Sequence, residues 1–240
     1  MIHSVCVITS YCGESQYNEC VNSVKEQKDV YIEHIIIKDK NFIDSQVETF
    51  NIAKNTKCKF VCKLDSDMVL PDQYYLKDLI SKFEDNLERL YVLVDDYYSK
   101  RKIIGMHVIR KSAIKDCYIK NINLPQPDLW INEIKSYKKV NVNGRYVRHG
   151  FNPTDQQLYR YGYSRGKKIF SQRRGVNSFI TFVSIIKSGN YKILKGYADG
   201  MGCNKIEDID TLNKLFSYLN FNLLKRLLLL MKIKLIIWFI

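Results

Sequence analysis

The chain has little that breaks or divides a fold, and little acid where it is richest in base. It holds 4 prolines and 11 glycines in 240 residues, with no internal repeat and no low-complexity linker. Its 7 cysteines are odd in number and lack paired spacing. Cys58 and Cys62 lie four apart without a matching second pair, and Cys62 falls inside the apolar run Phe60-Val61-Cys62. That pattern argues against a disulfide framework or a zinc site and for reduced thiols in a cytosolic compartment. Met1-Ile2-His3-Ser4-Val5 has no basic n-region and no cleavage site, so it reads as a first strand rather than a leader. Between Lys135 and Arg174 stand eleven Lys or Arg and a single acid, Asp155. With a formal net charge of +13, such a stretch suits nucleic acid, an anionic membrane surface or phosphorylated substrates.

What is present has the rhythm of one α/β domain with a small appendage. Val5-Cys6-Val7-Ile8-Thr9 and Ile35-Ile36-Ile37 are short apolar runs suited to buried parallel strands. Tyr17, Cys20, Val21 and Val24 recur at helical spacing over 16–27, and Val47, Phe50, Ile52 and Ala53 mark a second helix. With Phe60 to Leu64 as the next strand, the chain from Met1 to Asp65 alternates strand and helix in a Rossmann-like pattern. Helical spacing returns over 74–87, and 90–94 and 103–109 read as strands. From Asn121 to Asn152 the pattern fades, and a short helix is expected over 155–161.

The third apolar strand runs into Lys63-Leu64-Asp65-Ser66-Asp67-Met68-Val69-Leu70-Pro71-Asp72. Residues i and i+2 share one face of a strand, so Asp65 and Asp67 would project side by side wherever strand geometry persists. Two carboxylates that close repel unless a cation lies between them. Mg²⁺ or Mn²⁺ takes oxygen ligands and keeps positions open for substrate phosphates. The plainer reading is a polar turn. The position favours chemistry, because open α/β sheets bind ligands outside the carboxyl ends of their strands.

The carboxyl end changes character. Leu223 to Ile240 is very apolar yet carries Lys225, Arg226, Lys232 and Lys234. Four cations speak against a full transmembrane span and for an interfacial helix. The alternative is a helix docked on the protein's own core or on a second subunit. The expected division is therefore a domain over 1–204 and a helical tail over 205–240, with peripheral membrane contact through 221–240.

Val7-Ile8-Thr9-Ser10-Tyr11, Cys20-Val21-Asn22-Ser23-Val24-Lys25-Glu26-Gln27 and Ile35-Ile36-Ile37-Lys38-Asp39, in that order, resemble the opening of family 2 glycosyltransferases. Leu64-Asp65-Ser66-Asp67 with Pro71-Asp72 resembles the metal-binding motif of that family. The resemblance extends from the amino terminus to the neighbourhood of Asp85. It implies the GT-A fold: a Rossmann-like domain whose mixed, mainly parallel central sheet is flanked by helices, here with the amphipathic tail added. The nucleotide-binding part would be about 1–100 and the acceptor-binding part about 101–204. It implies transfer of a sugar from a nucleotide-diphosphate donor, with Mn²⁺ or Mg²⁺ as cofactor. Thr9 and Tyr11 would line the nucleotide pocket, Asp39 would accept a hydrogen bond from the base, commonly uracil, and Asp65 and Asp67 would hold ribose and metal. Between Asp39 and Asp65 the chain is shorter than the family pattern, which touches the sugar and ribose contacts.

An inverting transfer needs a carboxylate to take the acceptor's proton. Thr154-Asp155-Gln156-Gln157-Leu158-Tyr159-Arg160 resembles the family's acidic motif, which makes Asp155 the expected base and Asp128 the reserve. Asp155 reads nearly as well as a helix N-cap after Pro153. His149 would complete the metal shell or touch the diphosphate. Arg173, with Arg174, would bind the leaving diphosphate or form part of a basic surface.

The expected function is sugar transfer in cell-surface polysaccharide synthesis, to a glycan or lipid-linked acceptor at the cytoplasmic face of a bacterial membrane. Two readings compete. A sugar nucleotidyltransferase would need a glycine-rich, basic loop after the first strand, and Tyr11-Cys12-Gly13-Glu14-Ser15 has one glycine and no basic residue. A nucleic-acid-binding module would use the Tyr-interleaved basic stretch, but it leaves the ordered aspartates unexplained, and no nucleic-acid partner is expected.

Overall fold

A computed structural model describes residues 2–115, 130, 131, 133–172 and 190–200. Its centre is an eight-stranded mixed sheet. The first part follows the expected alternation: β1 (His3–Tyr11), α1 (Tyr17–Lys25), β2 (Val30–Lys38), α2 (Phe42–Asn55) and β3 (Phe60–Lys63). Strands β2, β1 and β3 are parallel neighbours. Their side chains alternate between two cores. Val5, Val7 and Cys62 face one core with Cys20 and Val24 of α1, while Cys6, Ile8 and Val61 face the other with Phe50 and Ala53 of α2. A strand covered on both faces reads as an unbroken apolar run, which is why β1 and β3 were visible in the sequence.

After β3 come β4 (Met68–Val69), α3 (Tyr75–Ile80), β5 (Arg89–Asp96), β6 (Arg101–Arg110), β7 (Tyr137–Val140), β8 (Val147–His149), α4 (Asp155–Gln172) and α5 (Tyr191–Gly200). The sheet order is β2-β1-β3-β6-β5-β8-β4, with β7 also on β5. The helix expected over 74–87 is thus a shorter α3, and the one expected over 155–161 is the 18-residue α4. Strands β7 and β8 lie in the stretch whose pattern fades; at four and three residues they are too short to show a period. The tail from 205 onward lies outside the described residues, and so does the domain boundary placed before it. Among the described residues no helix is long and apolar enough to cross a membrane.

The topology decides what meets at one edge. Strand β6 runs antiparallel to β3 and to β5, so β5 ends where β1, β2 and β3 end. Strand β8 runs parallel to β5, with His149 opposite Asp96, and β4 pairs β8 with Met68 opposite His149. Tyr11, Lys38, Lys63, Asp96 and His149 therefore close strands at the same edge.

Helix α4 crosses α5 at backbone contact. A Cβ added to Gly162 would lie 2.0 Å from the carbonyl oxygen of Ile193, and one added to Gly196 would lie 2.1 Å from that of Tyr159. In an open helix Gly→Ala stabilises by about 1 kcal/mol. Here the sign should reverse, because a backbone oxygen cannot swing aside as a side chain can. Gly196→Ala is expected to cost about 1–3 kcal/mol, as overpacking does. Thermal denaturation should read that as a Tm lowered by several degrees.

Candidate active site

Strand β3 stops at Lys63, and Asp65-Ser66-Asp67 is a turn closed by the Met68 N–H donating to the Asp65 carbonyl at 2.9 Å. The two aspartates therefore part, and the side-by-side arrangement expected from strand geometry does not form. Asp65 pairs with Lys63 at 3.5 Å and its side chain is 45% exposed. Asp67 turns inward, 13% exposed, with Oδ1 3.4 Å from His149 Nε2 and Oδ2 accepting from the Tyr98 hydroxyl at 3.2 Å. Its backbone carbonyl accepts from the Gly150 N–H at 2.9 Å. Gly150 has φ +65 and lies against the Tyr98 ring, which a Cβ would meet at 2.1 Å, so only glycine lets this turn, ring and aspartate meet.

His149 is held from behind. Its Nδ1 donates to Asp96 Oδ1 at 2.7 Å, and Asp96 is fully buried with Oδ2 accepting from the backbone N–H and hydroxyl of Ser99. A buried carboxylate on one ring nitrogen fixes which way the other points, here toward Asp67. Burial alone would raise the Asp96 pKa, but the hydrogen bonds from His149 and Ser99 prevail and hold it below its ordinary value. Burial works against a charged imidazole at His149. Its hydrogen bonds to Asp67 and Asp96 overcome that and push its pKa up to about 10. The group is thus a carboxylate–imidazolium–carboxylate row.

This row forms one wall of a cavity of about 370 Å³ lined by Glu14, Asp67, Tyr98, His149 and, from α4, Gln157, Arg160, Tyr161, Ser164 and Arg165. The α4 residues recur at helical spacing and form one stripe. Helix α4 is tied over the loop after β1: Arg160 donates to the Cys12 carbonyl at 3.0 Å, Gln157 to Gln16 Oε1 at 2.9 Å, and Ser15 Oγ to Gln157 Oε1 at 3.1 Å. The Tyr98 and Tyr161 rings stack at 4.5 Å. Two guanidinium groups opposite a pair of metal-type donors make a setting for phosphate oxygens.

The residues expected from the sequence are placed as follows. Asp67 and His149 meet. Asp39 is exposed one residue beyond β2, at φ +56, and Tyr11 packs at a tilt against Tyr17, ring centroids 4.3 Å apart, beneath the Lys38 ammonium. Thr9 is fully buried, its hydroxyl 3.1 Å from His34 Nε2. None of these three lines the described cavity. Asp128 and Arg173 lie outside the described residues.

Asp155 is not brought to the cavity. Its side chain is 74% exposed and faces Lys192 of α5 at 3.3 Å. At 3.6 residues per turn it falls roughly 150° from the middle of the α4 stripe, on the far face. Nor is it the N-cap: Thr154 Oγ1 accepts from the Gln157 N–H at 3.2 Å while Gln157 Oε1 accepts from the Thr154 N–H at 3.0 Å, a capping box. Sequence reasoning missed Glu14, Asp96, Tyr98 and Arg165. Asp95-Asp96-Tyr97-Tyr98-Ser99, a polar turn between two strand runs, could have signalled Asp96 and Tyr98.

No protein-family profile and no curated sequence matches the chain. Solved structures similar to it are nucleotide-sugar glycosyltransferases, with a nucleotidyltransferase among them. A mannosyltransferase from Pyrobaculum calidifontis, in complex with GDP-Man and Mn²⁺, is 10% identical, covering 91% of this chain and 80% of that one at a TM-score of 0.48. Residues 1–349 of S. aureus TarS, in complex with UDP, are 12% identical, covering 79% and 71% at 0.43. The 4-diphosphocytidyl-2C-methyl-D-erythritol synthase of Anaerococcus prevotii is 10% identical, covering 62% and 90% at 0.39.

Proposed function

We propose that the chain is a metal-dependent, inverting glycosyltransferase that moves a sugar from a nucleotide-diphosphate donor, with UDP-sugars favoured, to a glycan or lipid-linked acceptor. The observation that carries this reading is the meeting of Asp67 with a carboxylate-oriented His149 in the wall of a cation-lined cavity at the carboxyl edge of the sheet. The ordered resemblance of the amino-terminal third supports it independently.

The donor set fits a divalent ion. Asp67 Oδ1 and His149 Nε2 are 3.4 Å apart, and two adjacent ligands of an octahedral ion with bonds near 2.1 Å stand about 3 Å apart. An imidazole nitrogen suits Mn²⁺ better than Mg²⁺, which prefers an all-oxygen shell. Among the described residues no group of three or more His, Cys, Asp or Glu is placed to hold an ion together, so water and the donor's diphosphate would fill the other positions. When bound, such an ion would offset the charge developing on the departing diphosphate. His149 must give up its Nε2 proton to serve as a ligand, while Asp96 keeps the ring in place through Nδ1. Arg160 and Arg165 would hold phosphate oxygens from the opposite wall.

The nucleotidyltransferase reading is weaker. The loop after β1, Tyr11-Cys12-Gly13-Glu14-Ser15, has one glycine and no basic residue with which to hold a triphosphate. Attachment to the inner face of a membrane through 221–240 rests on the composition of that segment.

Calorimetric titration of UDP into the full chain, with and without Mn²⁺, tests the reading. Binding that requires Mn²⁺ is expected. Silence of UDP, GDP and CDP under both conditions, in a folded sample, would overturn it.

A further inference from the structure

We propose that Glu14 is the general base of the transfer, an assignment that rests on the glycosyltransferase reading above. An inverting displacement needs a carboxylate within reach of the acceptor hydroxyl. Among the described residues two carboxylates line the cavity, Asp67 and Glu14. Asp67 is committed to His149 and Tyr98, and Asp155 stands on the far face of α4. Glu14 remains.

Its geometry suits the task. Both hydrogen bonds of the Glu14 carboxylate fall on one oxygen: Oε2 accepts from the Cys12 N–H and from the Ser66 hydroxyl, each at 2.7 Å. That leaves Oε1 for a substrate, on a side chain whose direction is already set. Ser66 is buried and lies between Asp65 and Asp67, so the base is tied to the same turn that would anchor the donor. Arg160 holds the Cys12 carbonyl, fixing the loop from the other side. Such prior placement of reacting groups is a large part of catalysis.

The step balances without a further reactant. An acceptor O–H lies against Glu14 Oε1 on the face of the sugar opposite the diphosphate. As the acceptor oxygen bonds to the anomeric carbon, its proton passes to Oε1. The bond from that carbon to the phosphate oxygen breaks, and its electron pair leaves with the nucleoside diphosphate. Glu14 then releases the proton to water. Water itself can stand in for the acceptor, giving slow donor hydrolysis.

The test uses the full chain with Mn²⁺ and a panel of UDP-glucose, UDP-GlcNAc and GDP-mannose, following nucleotide release beside calorimetric UDP affinity. Glu14→Gln keeps an oxygen for both internal hydrogen bonds but cannot take a proton. It should bind UDP within about twofold of wild type and release nucleotide roughly 10²–10⁴-fold more slowly, the range for loss of a general base. Added formate should restore part of the rate to Glu14→Ala, which a merely structural role would not allow. Asp155→Asn should stay close to wild type. Release by Glu14→Gln within tenfold of wild type would overturn the assignment while leaving the glycosyltransferase reading intact. Loss of UDP binding in Glu14→Gln would make it a donor-binding residue and overturn it too. Silence of UDP, GDP and CDP in the folded wild type, with and without Mn²⁺, would remove both proposals together.

Discussion

Asp67→Ala is expected to remove Mn²⁺-dependent UDP binding from a chain that still folds. The turn that carries Asp67 is closed by backbone bonds, from Met68 N–H and Gly150 N–H, which alanine keeps. His149 retains Asp96 behind it. What disappears is the oxygen donor facing Nε2, and the fall in metal affinity should exceed the 10–100-fold that losing an outer partner costs. Asp96→Asn supplies that outer-partner comparison. It keeps the shape but weakens the hold on the ring, and should cost about 10–100-fold in Mn²⁺ affinity without removing any group from the cavity wall. Calorimetry with Mn²⁺ titrated in the presence of UDP reads both. Equal affinity in wild type and Asp67→Ala would separate Asp67 from metal binding.

The second large effect is on stability. Asp96→Ala strips a largely buried charge pair of its fully buried member and leaves an imidazolium at the sheet edge with Asp67 alone, which typically costs about 3–5 kcal/mol. Its pH dependence has a definite sign. In metal-free protein the pKa of His149 is raised from its ordinary 6.5 to about 10. A raised pKa means that the folded state binds the proton more tightly than the unfolded chain. The stabilisation is therefore complete below about pH 6.5 and drains away as pH rises toward 10. The lowered pKa of Asp96 acts in the opposite limb: its contribution is present above the ordinary carboxylate range and is lost as pH falls through it. Urea denaturation in EDTA should thus show wild type losing stability as pH rises from 6.5 toward about 10, with His149→Gln losing less, since only groups common to both chains, such as the buried thiols of Cys6, Cys20 and Cys62 with their raised pKa values, then contribute to the slope. Mn²⁺ should reverse the trend, because the ion competes with the Nε2 proton and binds better as pH rises. A wild-type curve without slope in EDTA would show that the imidazole does not carry the proton.

How much of this could be read from residues alone follows from sequence separation. Strands β1 and β3 announce themselves because each is an apolar run buried on both faces, and the edge strand β2 through its Ile35-Ile36-Ile37 run; the first two are followed by a local helix. Asp67 was legible for the same reason, sitting just past such a run. The cavity edge as a whole was not. His149 and Asp96 are 53 residues apart and meet only because β8 docks beside β5. No local period encodes that pairing, and β8 has three residues. Asp155 shows the converse: the motif resemblance placed a carboxylate at the start of a helix, and the helix's rotation turns it toward α5. One residue on, at Gln156, or two, at Gln157, the same helix carries its side chains to other faces, and only Gln157 enters the cavity.

The order of the sheet also sets a sequence of events in time. Strand β4, two residues long, has β8 as its neighbour at the end of the sheet order and no neighbour on its other side among the described strands. The turn bearing Asp67 runs straight into β4. It gains its final lateral support only when β8 arrives from far along the chain, bringing His149 opposite Met68. Contacts that close long loops form late, after local helices and hairpins. Ion-binding competence would then be the last property acquired on refolding, and the first surrendered when the molecule begins to open.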